Sequence, residues 1–289
     1  MPLSFPGRNK MLTRSQLKDI FSARGFTPLK RLGENYLIDG NVKNKIMGSA
    51  GIDKDDIILE IGPGFGALTV DLASTGAKVF AVEKDRKACE ILKEIVNGDL
   101  KDLKIFNGDI LEFSIEDKIS PAKRLKVFGN LPYYITTPIL EYLISNRRFI
   151  TLMLIVVQKE VADRVLAVAG SEDYGSLSCF IQYHCKVSYL HTIKRTSFYP
   201  VPEVDSSLLK LEVLNKPSVK VGDERLLFKI IRGAFNQRRK TILNSLSRTE
   251  VLDLPKERLL QVLEKNGIDP LSRPEDLSLE AFARLTNTL

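Results

Sequence analysis

Cysteine and histidine are both scarce in this chain of 289 residues. Cys89, Cys179 and Cys185 stand at irregular spacings that fit neither a disulfide framework nor paired zinc ligands, and only His184 and His191 could help to complete a metal site. These residues read as structural, in a reduced, cytoplasmic protein that holds no metal. Long apolar runs are missing too. None approaches the length of a membrane span, and the opening MPLSFPGRNKMLTRSQLKD lacks the continuous apolar stretch of a signal peptide, so no membrane partner is expected. Acid is absent from the first eighteen residues, which carry Arg8, Lys10, Arg14 and Lys18. Such a basic arm suits RNA binding, with an organelle transit peptide as the lesser alternative.

Apolar residues, at 44%, suffice for a full core in one large domain and one small one. Charge is unevenly divided. Residues 1–35 hold seven Lys/Arg against two Asp/Glu, residues 36–215 hold 22 against 24, and residues 216–289 hold 14 against ten. A near-neutral centre between basic ends suggests a cofactor-binding body with appendages that grip a polyanion.

Between residues 57 and 157, short apolar runs alternate with amphipathic stretches, the pattern of a parallel sheet covered by helices on both faces. The runs are IILEI (57–61), KVFAVE (78–83), LKIF (103–106), KVFGN (126–130) and TLMLIVV (151–157), with KVSYL (186–190) and SLLKLEVL (207–214) expected to finish the sheet. After Lys216-Pro217 the apolar residues fall at helical spacing: Leu227, Ile230, Ile231, Ala234, then Ile242, Leu243, Leu246. The expected organisation is a basic arm over 1–35 that also begins a cofactor motif, an α/β domain over 36–215, and a helical RNA-binding domain over 216–289. No repeat or low-complexity segment argues for a solenoid.

The first strand runs into Gly62-Pro63-Gly64-Phe65-Gly66, where positions without side chains let the backbone pass close to a ligand and turn into a helix. With Ala67 this also satisfies the loose dinucleotide fingerprint, so a nicotinamide or flavin enzyme is a competing reading. Glu83 ends the second strand, 21 residues after Gly62, where a carboxylate can accept hydrogen bonds from both ribose hydroxyls of an adenosine. Asp109, in Asn107-Gly108-Asp109 after the third strand, can accept from a cofactor's adenine amine, although Asn-Gly-Asp is also ordinary turn chemistry.

Asn130-Leu131-Pro132-Tyr133 at the end of the fourth strand separates these readings. The exocyclic amine of adenine is a poor nucleophile because its lone pair is delocalised into the ring. The Asn130 side-chain oxygen and a main-chain carbonyl of Leu131 or Pro132 can hold both amine hydrogens and draw the lone pair toward a methyl donor. Pro132 fixes the local φ, and Tyr133 supplies an aromatic face on which an extruded base can stack. No general base is needed, since methylation makes the amine strongly acidic. Phe198, followed by Tyr199-Pro200-Val201-Pro202, lies on a stiff, non-helical segment suited to presenting an aromatic to a cleft.

On these motifs the chain resembles the KsgA family of rRNA adenine dimethyltransferases. The likeness extends over nearly the whole chain. It is carried by Leu32-Gly33-Glu34-Asn35-Tyr36-Leu37, Glu60-Ile61-Gly62-Pro63-Gly64, Asn130-Leu131-Pro132-Tyr133, the segment Phe198 to Ser206, and Phe235-Asn236-Gln237-Arg238-Arg239-Lys240. Glu34 and Tyr36 depart from the family's usual Gln and Phe. The resemblance implies a Rossmann-like class I methyltransferase domain with a small C-terminal helical domain, and S-adenosyl-L-methionine as cofactor. It further implies that Asn35, Leu37, Gly62, Gly64, Glu83, Asp109 and Asn130 bind that cofactor. Tyr133 and Phe198 would sandwich the target adenine, and Arg238, Arg239 and Lys240 would touch RNA phosphates. The implied activity is dimethylation of the N6 amine of two adjacent adenosines in the 3'-terminal hairpin loop of small-subunit rRNA. The partner would be that rRNA within a pre-ribosomal particle, met by a monomer without metal or membrane.

Three alternatives remain at this stage. A methyltransferase of the large-subunit, antibiotic-resistance type would share every cofactor motif. A non-catalytic assembly or transcription factor could retain the fold, although the intact N-L-P-Y and glycine loop argue against it. A nicotinamide oxidoreductase lacks a hydride-transfer acid or base beside its glycine loop.

Overall fold

The computed structural model describes residues 11–28, 35–96, 100–119, 124–247, 252 and 254–289. Arg8, Lys10 and the stretch Leu32 to Glu34 of the first motif lie outside them. The chain divides into two compact units, one of residues 1–159 and 188–213, the other of residues 160–187 and 214–289.

The first unit begins with helix α1 (Arg14–Arg24), opened by a reciprocal capping box between Thr13 and Gln16 and ended by Gly25 in the left-handed conformation. Then follow β1 (Tyr36–Leu37), α2 (Gly40–Gly48), β2 (Ile57–Ile61), α3 (Thr69–Ser74), β3 (Lys78–Glu83), α4 (Arg86–Val96) and β4 (Leu103–Asn107). After α5 (Ile115–Ile119) come β5 (Leu125–Asn130), α6 (Thr136–Ser145) and β6 (Ile150–Gln158). The last strands are β7 (Cys185–Ile193), β8 (Phe198–Tyr199) and β9 (Ser206–Val213).

Seven of these strands form one sheet in the order β4-β3-β2-β5-β6-β9-β7, while β1 and β8 pair separately and antiparallel. The pairs from β4 to β6 are parallel, and β9 runs antiparallel to β6. All seven strand runs expected from the sequence are strands of this sheet. The central ones are apolar without alternation because helices cover both faces: β2 is buried from Ile58 to Ile61 and β3 from Val79 to Glu83. From β2 the chain builds outward to β3 and β4, then returns to the other side of β2 for β5 and β6. The order therefore reverses between β2 and β5, and a crevice at the carboxyl ends of these strands is where an open α/β sheet takes ligands.

The second unit holds α7 (Lys159–Leu166), α8 (Ser176–His184), α9 (Glu224–Phe235), α10 (Ile242–Ser247), α11 (Lys256–Lys265) and α12 (Leu279–Thr288). Its core joins Leu227, Ile230, Ile231, Ala234, Ile242 and Leu246 to Cys179 and Tyr183 of α8. Gln182 ties α8 to the end of α7, donating to the carbonyls of Val165 (2.9 Å) and Ala167 (2.8 Å). Residues 160–187, placed by the sequence reading inside the 36–215 domain, thus pack with the C-terminal helices. Their amphipathic helices carry the same apolar spacing as helices that cover a parallel sheet, so periodicity alone does not separate the two.

Candidate active site

The strand ends at the reversal point carry the site. After β2 the backbone passes through Gly62, Gly64 and Gly66, all at positive φ. Gly64 explains why glycine is needed: at φ +54°, a Cβ there would stand 2.8 Å from Cδ1 of the Tyr36 ring. Its amide N–H donates to Glu83 Oε2 at 3.0 Å, which brings the glycine loop onto the end of β3. Glu83 is buried, and its Oε1 accepts from the Asp85 amide at 2.8 Å. A carboxylate offers about four acceptor positions in all.

Asp109 lies at the end of β4 and lines the same cavity as Gly62, Gly64, Glu83 and Asn130. Its Oδ1 accepts from the Leu111 amide at 3.0 Å and its Oδ2 from Lys84 Nζ at 2.6 Å. Burial pushes this carboxyl up, but the Lys84 and Leu111 bonds outweigh it and hold the group below the usual range. Lys84 is not singled out by the sequence.

Glu60 is the other residue that sequence reasoning missed as a functional group. It is 2% exposed in the middle of the sheet yet lines the cavity. Burial, with the neighbouring Glu83 charge adding to it, pushes its pKa up to about 8. The Thr69 hydroxyl beside it offsets part of that cost without reaching hydrogen-bonding geometry. Both Glu60 Oε2 and Thr69 Oγ1 are buried without a partner among the described residues. A buried acceptor left open in a cavity is matched by a cationic donor on a ligand.

At the end of β5, Asn130 Nδ2 donates to the main-chain carbonyl of Asn35 at 2.8 Å. Its Oδ1 accepts no hydrogen bond among the described residues and is left to a ligand. Of the two carbonyls proposed beside it, that of Pro132 is occupied, accepting from the Ile135 amide (3.2 Å) and the Thr136 hydroxyl (3.0 Å). The Leu131 amide is bound to the Val156 carbonyl at 3.0 Å, and its own carbonyl accepts nothing among the described residues. Of the two carbonyls, that of Leu131 is the one left open among the described residues.

The aromatic pair is less simple. Tyr133 is half-buried, with its hydroxyl 2.8 Å from Ser206 Oγ, while the cavity wall beside it is made by Pro132, Tyr134 and Ile135. Tyr134, not singled out from the sequence, is 47% exposed at this wall. Phe198 is 1% exposed and packs in the core with Leu37, its partner across the β1–β8 pair, while also lining the cavity. Asn35, Tyr36 and Leu37 line it as expected, but so do Met11, Leu12 and Leu17. The N-terminal segment thus contributes apolar wall to the cavity as well as basic charge.

In the second unit, Arg238 donates to the carbonyls of Glu172 (2.6 Å) and Tyr174 (3.1 Å), so its guanidinium is already engaged within the fold. Arg239 and Lys240 are exposed and have no side-chain partner among the described residues. Cys89, Cys179 and Cys185 are buried, and no His/Cys/Asp/Glu cluster able to hold a metal occurs among the described residues. No described helix is long and apolar enough to cross a membrane.

S-adenosylmethionine presents an adenosine at one end and an ammonium at the other. The cavity is lined by Glu83 and Asp109 at neighbouring strand ends and by the open carboxyl of Glu60 beside the glycine loop. Fold and site together define a Rossmann-like, S-adenosylmethionine-dependent methyltransferase.

The model of the ribosomal RNA adenine dimethylase family matches residues 25–289, and the chain belongs to that family. It is 42% identical over 283 residues to ribosomal RNA small subunit methyltransferase A of Bacillus cytotoxicus, covering 96% of both chains. To the protein of the same name from Halothermothrix orenii it is 40% identical over 264 residues, 90% of this chain and 87% of the other. Among solved structures it resembles a dimethyladenosine transferase from Plasmodium falciparum (TM-score 0.75, 28% identity, 86% of this chain and 95% of the other). It also resembles the 23S rRNA methyltransferase ErmE (TM-score 0.67, 25% identity, 88% and 99%).

Proposed function

We propose that this chain dimethylates the N6 amines of two adjacent adenosines in the 3'-terminal hairpin loop of small-subunit rRNA, acting as a monomer on a pre-ribosomal particle. The observation that carries the reading is the Asn130 amide, whose nitrogen is committed to Asn35 and whose oxygen is open beside the open Leu131 carbonyl. Two open acceptors on consecutive residues, with Asn130 lining the cofactor cavity, suit a primary aromatic amine. The relatives' names point to the small subunit.

The cofactor supplies an electrophilic sulfonium methyl. Glu83 and Asp109 would hold its adenosine, and Glu60 would meet its ammonium. Asn130 Oδ1 and the Leu131 carbonyl take the two N6 hydrogens, turning the nitrogen lone pair out of conjugation and toward the methyl group. Positioning of this kind lowers the barrier without a base of matched pKa. The N6 proton, made acidic by methylation, leaves along the same acceptors to water. Phe198, which lines the cavity, would flank the base, with Tyr133 on the segment next to the cavity wall.

Immature small subunits incubated with radiolabelled methyl donor, followed by mapping of the modified bases, test the reading. Two labelled adjacent adenosines in the terminal hairpin are expected. Unlabelled small subunits, with label appearing in large-subunit rRNA incubated in parallel, would assign the chain to the ErmE-like activity instead.

A further inference from the structure

Lys84 spans from the end of β3 to the end of β4. Its Nζ stands 2.6 Å from Asp109 Oδ2, and both residues line the cofactor cavity. The side chain of Lys84 is 47% exposed and that of Asp109 only 19%, so the ammonium closes over the carboxylate from the solvent side. The backbone beneath is fixed independently: Gly108 N–H donates to the Glu83 carbonyl at 2.9 Å, and Asn107 Nδ2 to the carbonyls of Glu83 (3.0 Å) and Lys84 (3.2 Å). The strand ends therefore do not need Lys84 to stay together. What Lys84 adds is a fixed orientation of one carboxylate, because Leu111 N–H holds Oδ1 and Lys84 holds Oδ2.

We propose that Lys84 is a positioning residue of the cofactor site, clamping Asp109 so that its remaining acceptor capacity meets the cofactor's adenine amine. This rests on Asp109 being that acceptor. A carboxylate held from two sides cannot turn into solvent, and a charge-assisted bond is short and directional. A preorganised acceptor discriminates against a ligand that lacks the donor, because the carboxylate would then face an oxygen.

Calorimetry with S-adenosylhomocysteine and with its hypoxanthine analogue tests the assignment, since the analogue replaces the adenine amine by a carbonyl oxygen. Lys84→Met keeps the stem and removes the charge. It is expected to weaken S-adenosylhomocysteine about tenfold, the scale of one bond to a charged group, while leaving the analogue nearly unchanged. The preference for adenine should narrow accordingly, and Lys84→Arg should restore most of it. Asp109→Ala should abolish the same preference, and adding Lys84→Met to it should cost nothing more. If Asp109→Ala loses the preference and Lys84→Met keeps it, Lys84 does not position Asp109. If Asp109→Ala keeps it, the reading of Asp109 fails and this proposal falls with it.

Discussion

Asn130 Nδ2 donates to the carbonyl of Asn35, and that one bond decides which end of the Asn130 amide faces the cavity. An amide that could flip would present a donor to the target amine half of the time. Here a residue 95 positions earlier in the chain fixes the oxygen outward. Replacing Asn130 by Ala should leave the fold intact, keep most cofactor affinity and lower turnover by about 10²–10³, the scale of losing one preorganised group in a transition state. Single-turnover methylation of small-subunit rRNA checks this, and a near wild-type rate would exclude the role.

Glu83→Ala removes the bonds to Gly64 N–H and Asp85 N–H as well as the ribose acceptors. Cofactor affinity should fall while RNA affinity holds, measured by calorimetry for the one and filter binding for the other. Equal losses in both would mean that the substitution disturbs the whole unit.

Gly64→Ala forces a Cβ into the left-handed region and against the Tyr36 ring. Strain of about 1–3 kcal/mol is expected, with a lower Tm and weaker cofactor binding together. Tyr36→Ala in the same background should recover part of both, because it removes the clash but not the φ penalty.

Glu60 gives a pH signature. Its folded pKa of about 8 lies above the ordinary 4.5, so the folded state holds a proton that the unfolded state releases. Its contribution to stability is fully present below pH 4.5 and is lost as pH rises through about 8. Glu60→Gln should remove this slope in a series of thermal melts. If the cofactor's ammonium meets Glu60, binding near pH 7 should release a proton, and affinity should climb with pH until about 8. Calorimetry in buffers of different ionisation enthalpy reads that proton directly, and no proton change would separate Glu60 from the ammonium.

With the Arg238 guanidinium engaged by Glu172 and Tyr174, only Arg239 and Lys240 of that trio are free to meet phosphate. Neutralising these two should reduce the magnitude of the log–log salt slope of RNA binding by at most about 1.4–1.8, at roughly 0.7–0.9 per phosphate contact. Arg238→Ala should instead lower the Tm. An unchanged slope in the Arg239/Lys240 double variant would move the RNA footprint off this surface.

Strand runs and the glycine loop are legible in the sequence because apolar runs and side-chain-free turns follow from local chemistry. Asn130 is legible because Leu131, Pro132 and Tyr133 accompany it in an unusual combination. Glu60 is hidden inside IILEI, where nothing local distinguishes a buried carboxyl from one on a solvated face. Lys84 is hidden because its partner Asp109 is brought near only by the pairing of β3 with β4. The association of 160–187 with the C-terminal helices is invisible for the same reason, since it is a property of long-range packing. Arg238 shows the converse, reading as a free cation until the Glu172 and Tyr174 carbonyls are placed beside it.

The sheet-bearing unit is interrupted: its chain leaves at residue 159 and resumes at 188. During synthesis β6 emerges before β9, its antiparallel partner, so one of the most apolar strands waits as an open edge. Phe198 and Ser206, the latter bonded to the Tyr133 hydroxyl, also arrive only after the interruption. A nascent or truncated chain ending near residue 159 would hold every glycine of the cofactor loop and still lack a finished base pocket. Such a fragment should bind chaperones or aggregate rather than methylate, which couples the onset of activity to completion of the chain.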